Sequence, residues 1–346
     1  MPGEEQVPKF IIVGENIHAT RVVLRQGKLV TTNPEGVESV RYTDGQGAEH
    51  FLPIPEKVKQ EQDYLEGRVK HVRIAVQLAM SGREPEASQG LAYLRYLVDR
   101  QVQSGADFLD LNVDEVSLRV ADQKEAMKWL VKAVREMCPT PVSVDSSHIE
   151  IIEAGMEACD GGGRALLNSA SLERLDALDL AVRFNAQVVV TAAGEKGMPQ
   201  SAEERVVNAC RMVEASAAKG IPLSDLYIDP LVFPVSVDSE YGGHCLDAIR
   251  QLRTRFGPEI HITGGLSNVS FGLPLRRLLN DVFILLAIDA GADSGIVDPV
   301  TSNVSRILSM DRESKAYRLA ADVLLGRDRN CKSFLKAYRA KELETS

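Results

Sequence analysis

No apolar run in this chain approaches the length of a membrane span, and the opening Met-Pro-Gly-Glu-Glu-Gln is acidic and polar with no signal core. A cytoplasmic protein with no membrane contact is expected. Clustered basic residues are missing as well: 40 Lys and Arg face 49 Asp and Glu, a formal charge of -9, so no cationic face exists for a phosphate backbone. Nucleic acid is excluded as a partner. Cysteine is sparse, and Cys138, Cys159, Cys210, Cys245 and Cys331 form neither a C-x-x-C pair nor a Cys/His cluster. Buried thiols in a reducing compartment are the reading, not a disulfide frame or a zinc site. There is also no G-x-G-x-x-G after the first apolar strand, no H-E-x-x-H, and no acidic cluster with a lysine base. No metal held by the chain is expected.

What remains is ample core material, 44% hydrophobic residues over 346 positions, arranged in a repeat. Each unit is a short apolar strand, a polar tip, a helix and a glycine that stops it. Lys9 to Val13 opens the series, followed by Phe108 to Asn112, Pro141 to Asp145, Ala165 to Asn168 after the glycine run 161–163, Val188 to Thr191, Leu226 to Asp229, Ile260 to Thr263 and Ser294 to Val297. The stop-and-enter triplet Gly105-Ala-Asp107 returns as Gly291-Ala-Asp293. Ser147-x-x-Glu150 and Ser201-x-x-Glu204 read as capping boxes. Eight strand-helix units without polar alternation predict an α/β fold, a (β/α)8 TIM barrel forming one domain over residues 1–346. Between about residues 19 and 66 the texture changes to hairpin grammar around Gly27, Asn33-Pro34 and Asp44-Gly45, a small β-rich insertion after the first strand. Helical periodicity then runs from about Glu61 past Ser81-Gly82 and again from Leu91 to Gln103.

In such a barrel the strand carboxyl ends share one mouth. Here they carry Glu15 and Asn16, then Asp110, Asn112 and Asp114, then Asp145, Asn168, Thr191, Asp229, the Ser267 to Ser270 tip and Asp298. This set is poor in cations, which argues against phosphate substrates. Alternating carboxylates and carboxamides suit a flat heterocycle bearing both N–H donors and carbonyl acceptors, such as a pteridine or purine. Structural alternatives stand beside this: Asp145 as a helix N-cap, Asp229 as a strand end before Pro230, Asn112 and Asn168 as satisfiers of loop backbone, and isolated histidines, His18 among them, as structural.

Asp110-Leu-Asn112-Val, Val144-Asp145-Ser, Leu167-Asn168-Ser, Tyr227-Ile-Asp229-Pro-Leu and Gly265-Leu-Ser-Asn268-Val-Ser-Phe-Gly-Leu-Pro-x-Arg276 follow one another in the chain. In this order they resemble pterin-binding methyltransferases: methyltetrahydrofolate:corrinoid protein methyltransferases, the folate domain of cobalamin-dependent methionine synthase and, more distantly, dihydropteroate synthase. The resemblance spans the first strand and residues from Val69 onward. It implies a barrel holding the pterin in its mouth, with Asp145, Asn168 and Asp229 on the ring, Asn112 and Arg276 lining the pocket, and Asn268 as the catalytic residue beside the methyl-bearing nitrogen. Tetrahydrofolate or methyltetrahydrofolate is then the substrate, cobalamin is carried by a partner corrinoid protein, and a homodimer is expected. Relatives commonly show an asparagine shortly after the first Gly-Glu, and here that loop reads Gly14-Glu15-Asn16-Ile17-His18. With no cobalamin domain and no zinc site for homocysteine, a stand-alone component is expected. A dihydropteroate synthase-like enzyme and a non-catalytic folate-binding subunit are the alternatives.

Overall fold

The computed structural model describes residues 9–159 and 163–343; the acidic opening and residues 161 and 162 of the glycine run lie outside them. Thirteen strands occur in it: β1 (Ile11–His18), β2 (Val23–Leu24), β3 (Val30–Thr32), β4 (Glu38–Thr43), β5 (Glu49–Pro53), β6 (Arg68–Val69), β7 (Phe108–Asn112), β8 (Val142–Asp145), β9 (Leu166–Ala170), β10 (Gln187–Thr191), β11 (Leu226–Asp229), β12 (His261–Ile262) and β13 (Ser294–Val297). Eight of them form one sheet in the order β12-β11-β10-β9-β8-β7-β1-β13, the strand order of a (β/α)8 barrel. By contact density the chain divides into two compact units, one of Met1–Val13 with Leu166–Ser346 and one of Gly14–Ala165.

In the larger unit β9, β10, β11 and β12 pair in parallel. Ile296 N–H donates to Gly264 O at 2.9 Å beside a parallel bridge from Gly265 to Ile296, so β13 joins the far end of β12. Val188, Val189 and Val190 are all buried, as a strand covered on both faces requires, and each such side chain contributes about 1.5–3 kcal/mol of burial. The returning triplet ends in an anchor: Asp293 accepts from Ile262 N and Arg253 Nη2 and lies 2.8 Å from His261 Nδ1. Gly291, at φ 112, takes the left-handed turn that lets Asp293 enter β13. Among the outer helices, Tyr241–Phe256 and Lys315–Leu324 touch so closely that a Cβ on Gly242 would fall 2.1 Å from Leu324 O.

In the smaller unit β7 and β8 pair in parallel, with Asp110 opposite Ser143 and Asn112 opposite Asp145. β3, β4 and β5 form a separate antiparallel sheet. It packs through Tyr42 on Tyr93 and Tyr96 of the helix Glu86–Gln103, with ring centroids 4.9 and 4.7 Å apart. Tyr93 Oη lies 2.9 Å from His71 Nδ1 beneath.

The boundaries differ from the sequence reading in physical detail. β1 runs on to His18 because Gly14 admits Gln101 against the strand, where a Cβ would meet Gln101 Oε1. The helices after residue 61 are Gln62–Leu65 and His71–Ser81, interrupted by β6. Ser147 is not a cap: the helix begins at Ile149, and the Ser147 N–H and hydroxyl donate to Asp114 Oδ2 instead. Ser201 does cap its helix, accepting from Glu204 N at 3.1 Å. Leu275 stands at φ 53 just before the helix Arg276–Ala290.

Candidate functional site

In the smaller unit the period of two places Asp110 with Asn112, and Ser143 with Asp145, on one face of the β7–β8 pair. Asn112 Nδ2 donates to Asp145 Oδ2 at 2.8 Å, while its Oδ1 accepts from Asp114 N. Asn112 therefore serves loop backbone with one atom and Asp145 with another. Asp145 caps no helix. Among the described residues its Oδ1 accepts no hydrogen bond. Burial, then the like charge of Asp110, push the Asp145 carboxyl up to about 7, with His18 and the Asn112 hydrogen bond pulling the other way.

His18, at the end of β1, is the residue the sequence reading set aside as structural. Its Nε2 lies 2.7 Å from Asp110 Oδ2, and Ser143 Oγ donates to Asp110 Oδ1. Burial opposes the imidazolium, but the hydrogen bond and charge of Asp110, with Asp145 and Glu15 beyond, push His18 up to about 9. His18, Asp110 and Asp145 each place an atom within 4.8 Å of the others, a spacing open to a cation. The hydrogen bonds from Ser143, Asn112 and His18 already occupy three of the four carboxylate oxygens, so a charge-balanced network is the better account of the geometry. Only the Gly-Glu-x-x-His spacing at 14–18 pointed to this residue in the sequence.

In the larger unit the paired glycines lie between two polar side chains. A Cβ on Gly264 would stand 3.1 Å from Asp229 Oδ1, and one on Gly265 would stand 2.8 Å from Asn268 Nδ2. Asp229 and Asn268 thus flank the same backbone, and only glycine leaves both in place. Asp229 Oδ1 accepts from Leu231 N at 2.7 Å, the Asx turn expected of a strand end, and its second oxygen accepts nothing among the described residues. Burial pushes its carboxyl up to about 6 against the Leu231 N–H and the charge of Arg205. Asn268 is half-buried on the short 3-10 turn Leu266–Ser270, and its side-chain amide has no hydrogen-bond partner among the described residues. Arg276 fixes that turn: Nε donates to Ser270 Oγ and Nη2 to Ser267 O, both at 3.0 Å, and the guanidinium lies 4.3 Å over the Phe271 ring. Asn168 is buried on β9 opposite Val189. Asp298 turns its own loop, accepting from Val300 N at 3.0 Å.

Of the six residues singled out in sequence, Asn112 and Asp145 come together in one unit and Asp229, Asn268 and Arg276 gather about one loop system in the other. Among the described residues each of the two carboxylates keeps one oxygen uncommitted, and Asn268 keeps its amide uncommitted. Uncommitted acceptors and donors at strand ends are ligand-binding chemistry.

Residues 89–298 match the family model described as pterin binding enzyme. The chain is 32% identical over 257 residues to the methylcorrinoid:tetrahydrofolate methyltransferase of Eubacterium limosum, covering 72% of this chain and 88% of that protein. It is 34% identical over 237 residues to methionine synthase of Mycobacterium leprae, covering 64% of this chain and only 19% of that much longer protein. In fold it is similar to dihydropteroate synthase of Xanthomonas albilineans with 4-aminobenzoic acid, at TM-score 0.52 and 20% identity over 66% of this chain and 87% of that one. Among the described residues no helix is long and apolar enough to cross a membrane. The matched span and the extent of the methyltransferase likeness place the chain in the family of pterin-binding enzymes.

Proposed function

We propose that the chain is a methyltransferase that moves a methyl group between N5 of tetrahydrofolate and the cobalt of a corrinoid carried by a separate protein. Asp145, Asn168 and Asp229 take the polar edge of the pterin ring, Asn112 and Arg276 line its pocket, and Asn268 serves N5. The reading is carried by Asn268: a half-buried amide without a hydrogen-bond partner among the described residues, held next to Asp229 by a loop that Arg276 clamps. The likeness to a methylcorrinoid:tetrahydrofolate methyltransferase along most of that relative's length supports it.

The chemistry fits these residues. The 2-amino group and N3–H of a pterin are parallel donors, and an ionised carboxylate accepts such a pair in one plane. In the demethylating direction the N5–CH3 bond breaks, its electron pair stays on N5, which takes up a proton from solvent to give N5–H, and the methyl group passes formally as CH3+ to cobalt(I), whose electron pair forms the new carbon–cobalt bond. N5 leaves poorly unless positive charge or a hydrogen bond builds on it during the transfer. A neutral amide whose bond strengthens in the transition state lowers that barrier without stabilising the ground state equally. A homodimer in the cytoplasm completes the reading, and five cysteines outside any disulfide suit that compartment.

The test mixes the protein with cob(I)alamin and methyltetrahydrofolate and follows methylcobalamin by absorbance. Conversion that depends on the protein is expected. Binding of methyltetrahydrofolate with no methylcobalamin formed would overturn the catalytic reading.

A further inference from the structure

Arg205 has no exposed surface, yet among the described residues no carboxylate forms an ion pair with it. It lies on the buried stripe of the helix Ala202–Ala218, in line with Ala202, Ala209 and Met212, where packing alone would favour an aliphatic side chain. Nη1 donates to Ser201 O at 2.9 Å and Nε to Leu231 O at 3.4 Å. The guanidinium carbon stands 5.0 Å over the Phe233 ring, and among the described residues the buried Nη2 has no hydrogen-bond partner.

What it touches is the loop that carries Asp229. Leu231 offers its carbonyl to Arg205 and its N–H to Asp229 Oδ1, and does so at a φ of 67 that a leucine seldom adopts. The peptides on either side of Leu231 are therefore held between a buried cation and a half-buried carboxylate. The ionisable groups around the guanidinium are Cys245 and Tyr241 on the helix Tyr241–Phe256, the neighbouring Glu204, and Asp229. Burial pushes the Cys245 thiol up to about 12, so it is neutral, and Glu204 is exposed. That leaves half-buried Asp229 as the anion of the set.

We propose that Arg205 is a positioning residue for Asp229: from behind the loop it fixes the Leu231 backbone and keeps the carboxylate ionised and aimed at a ligand's N–H donors. The ligand is the pterin of the reading above. The titration of Asp229 needs no ligand, however, so the two ideas fail separately.

The experiment labels aspartate carboxyl carbons with 13C in the full chain, assigns Asp229 through Asp229→Asn, and follows its titration by NMR in wild type, Arg205→Lys and Arg205→Gln. Arg205→Gln keeps a hydrogen-bond donor and loses the charge, whereas Arg205→Lys keeps the charge and loses the fork. The Asp229 midpoint is expected to rise by about one pH unit in Arg205→Gln and to stay near wild type in Arg205→Lys. The curve of methyltetrahydrofolate affinity against pH should move by the same amount. An unmoved midpoint in folded Arg205→Gln overturns the proposal. If that variant does not fold, the wild type decides: the 15Nε resonance of Arg205 is expected to shift with the Asp229 titration and to stop doing so in Asp229→Asn, and an indifferent resonance overturns the proposal. Wild type that binds no methyltetrahydrofolate sinks the pterin reading and leaves the Arg205 result to stand or fall alone.

Discussion

Asn112 holds Asp145 by one oxygen, at 2.8 Å from Nδ2 to Oδ2, and among the described residues the other oxygen accepts no hydrogen bond. A hydrogen bond to a charged group is worth about 1.5–3 kcal/mol, so Asn112→Ala is expected to weaken methyltetrahydrofolate binding by roughly ten- to a hundredfold. Asn112→Asp should do worse, by setting a second carboxylate beside the first. Calorimetric titration decides; wild-type affinity in both variants removes the pair from the site.

Asn268→Ala is expected to slow methyl transfer by about 10²–10³-fold with little loss of folate affinity, as follows from the proposal that the amide acts where charge develops. Gly265→Ala provides an independent route to the same signature. Its Cβ would stand 2.8 Å from Asn268 Nδ2 and displace the amide without touching the fold. Stopped-flow rates with matched melting curves test both, and unchanged rates in both variants take Asn268 out of the mechanism.

Ligand binding should depend on pH with a definite sign. Asp229 stands at about 6 and Asp145 at about 7 in the free protein, and a pterin donating two N–H groups needs the ionised forms. Affinity for methyltetrahydrofolate is therefore full above pH 8 and declines as pH falls through 7 and 6. In Asp145→Asn the upper step should disappear and the lower one remain. A profile flat from pH 8.5 to 5.5 contradicts the assignment.

How much of this was legible in the residues follows from what each relies on. Continuous apolar runs such as Val188 to Val190 announce buried parallel strands, and seven of the eight expected strands lie within about two residues of those found. Asn268 and Asp229 were visible because local sequence, a paired glycine and an Asp-Pro, shapes their loops. His18 was not, because its partner Asp110 lies 92 positions away and nothing near it in the chain marks that distance. Ser147 misled for the same reason: the capping pattern was present, but Asp114 took the hydroxyl first. Arg205 could have been noticed as a cation on an apolar stripe, although period alone does not say what it faces.

His18 also ties stability to pH. Its folded midpoint of about 9 lies above the ordinary 6.5, so the folded state holds a proton more tightly than the unfolded one. The resulting stabilisation, on the order of 3 kcal/mol, is complete below pH 6.5 and is lost as pH rises through 9. Asp110→Asn removes the main cause of the rise, so its melting temperature should fall below wild type at pH 6 and approach it by pH 10. A deficit of the same size at both pH values would trace the loss to packing instead.

The N–H of Ile11 donates to the carbonyl of Asp293 at 2.8 Å. During synthesis at roughly 5–20 residues per second, the opening strand waits some tens of seconds for its neighbour to leave the ribosome. Until then it carries a sticky, half-satisfied edge that a nascent chain must shield. Any shortened version ending before that neighbour would inherit the exposed edge permanently, and insolubility would be its first phenotype.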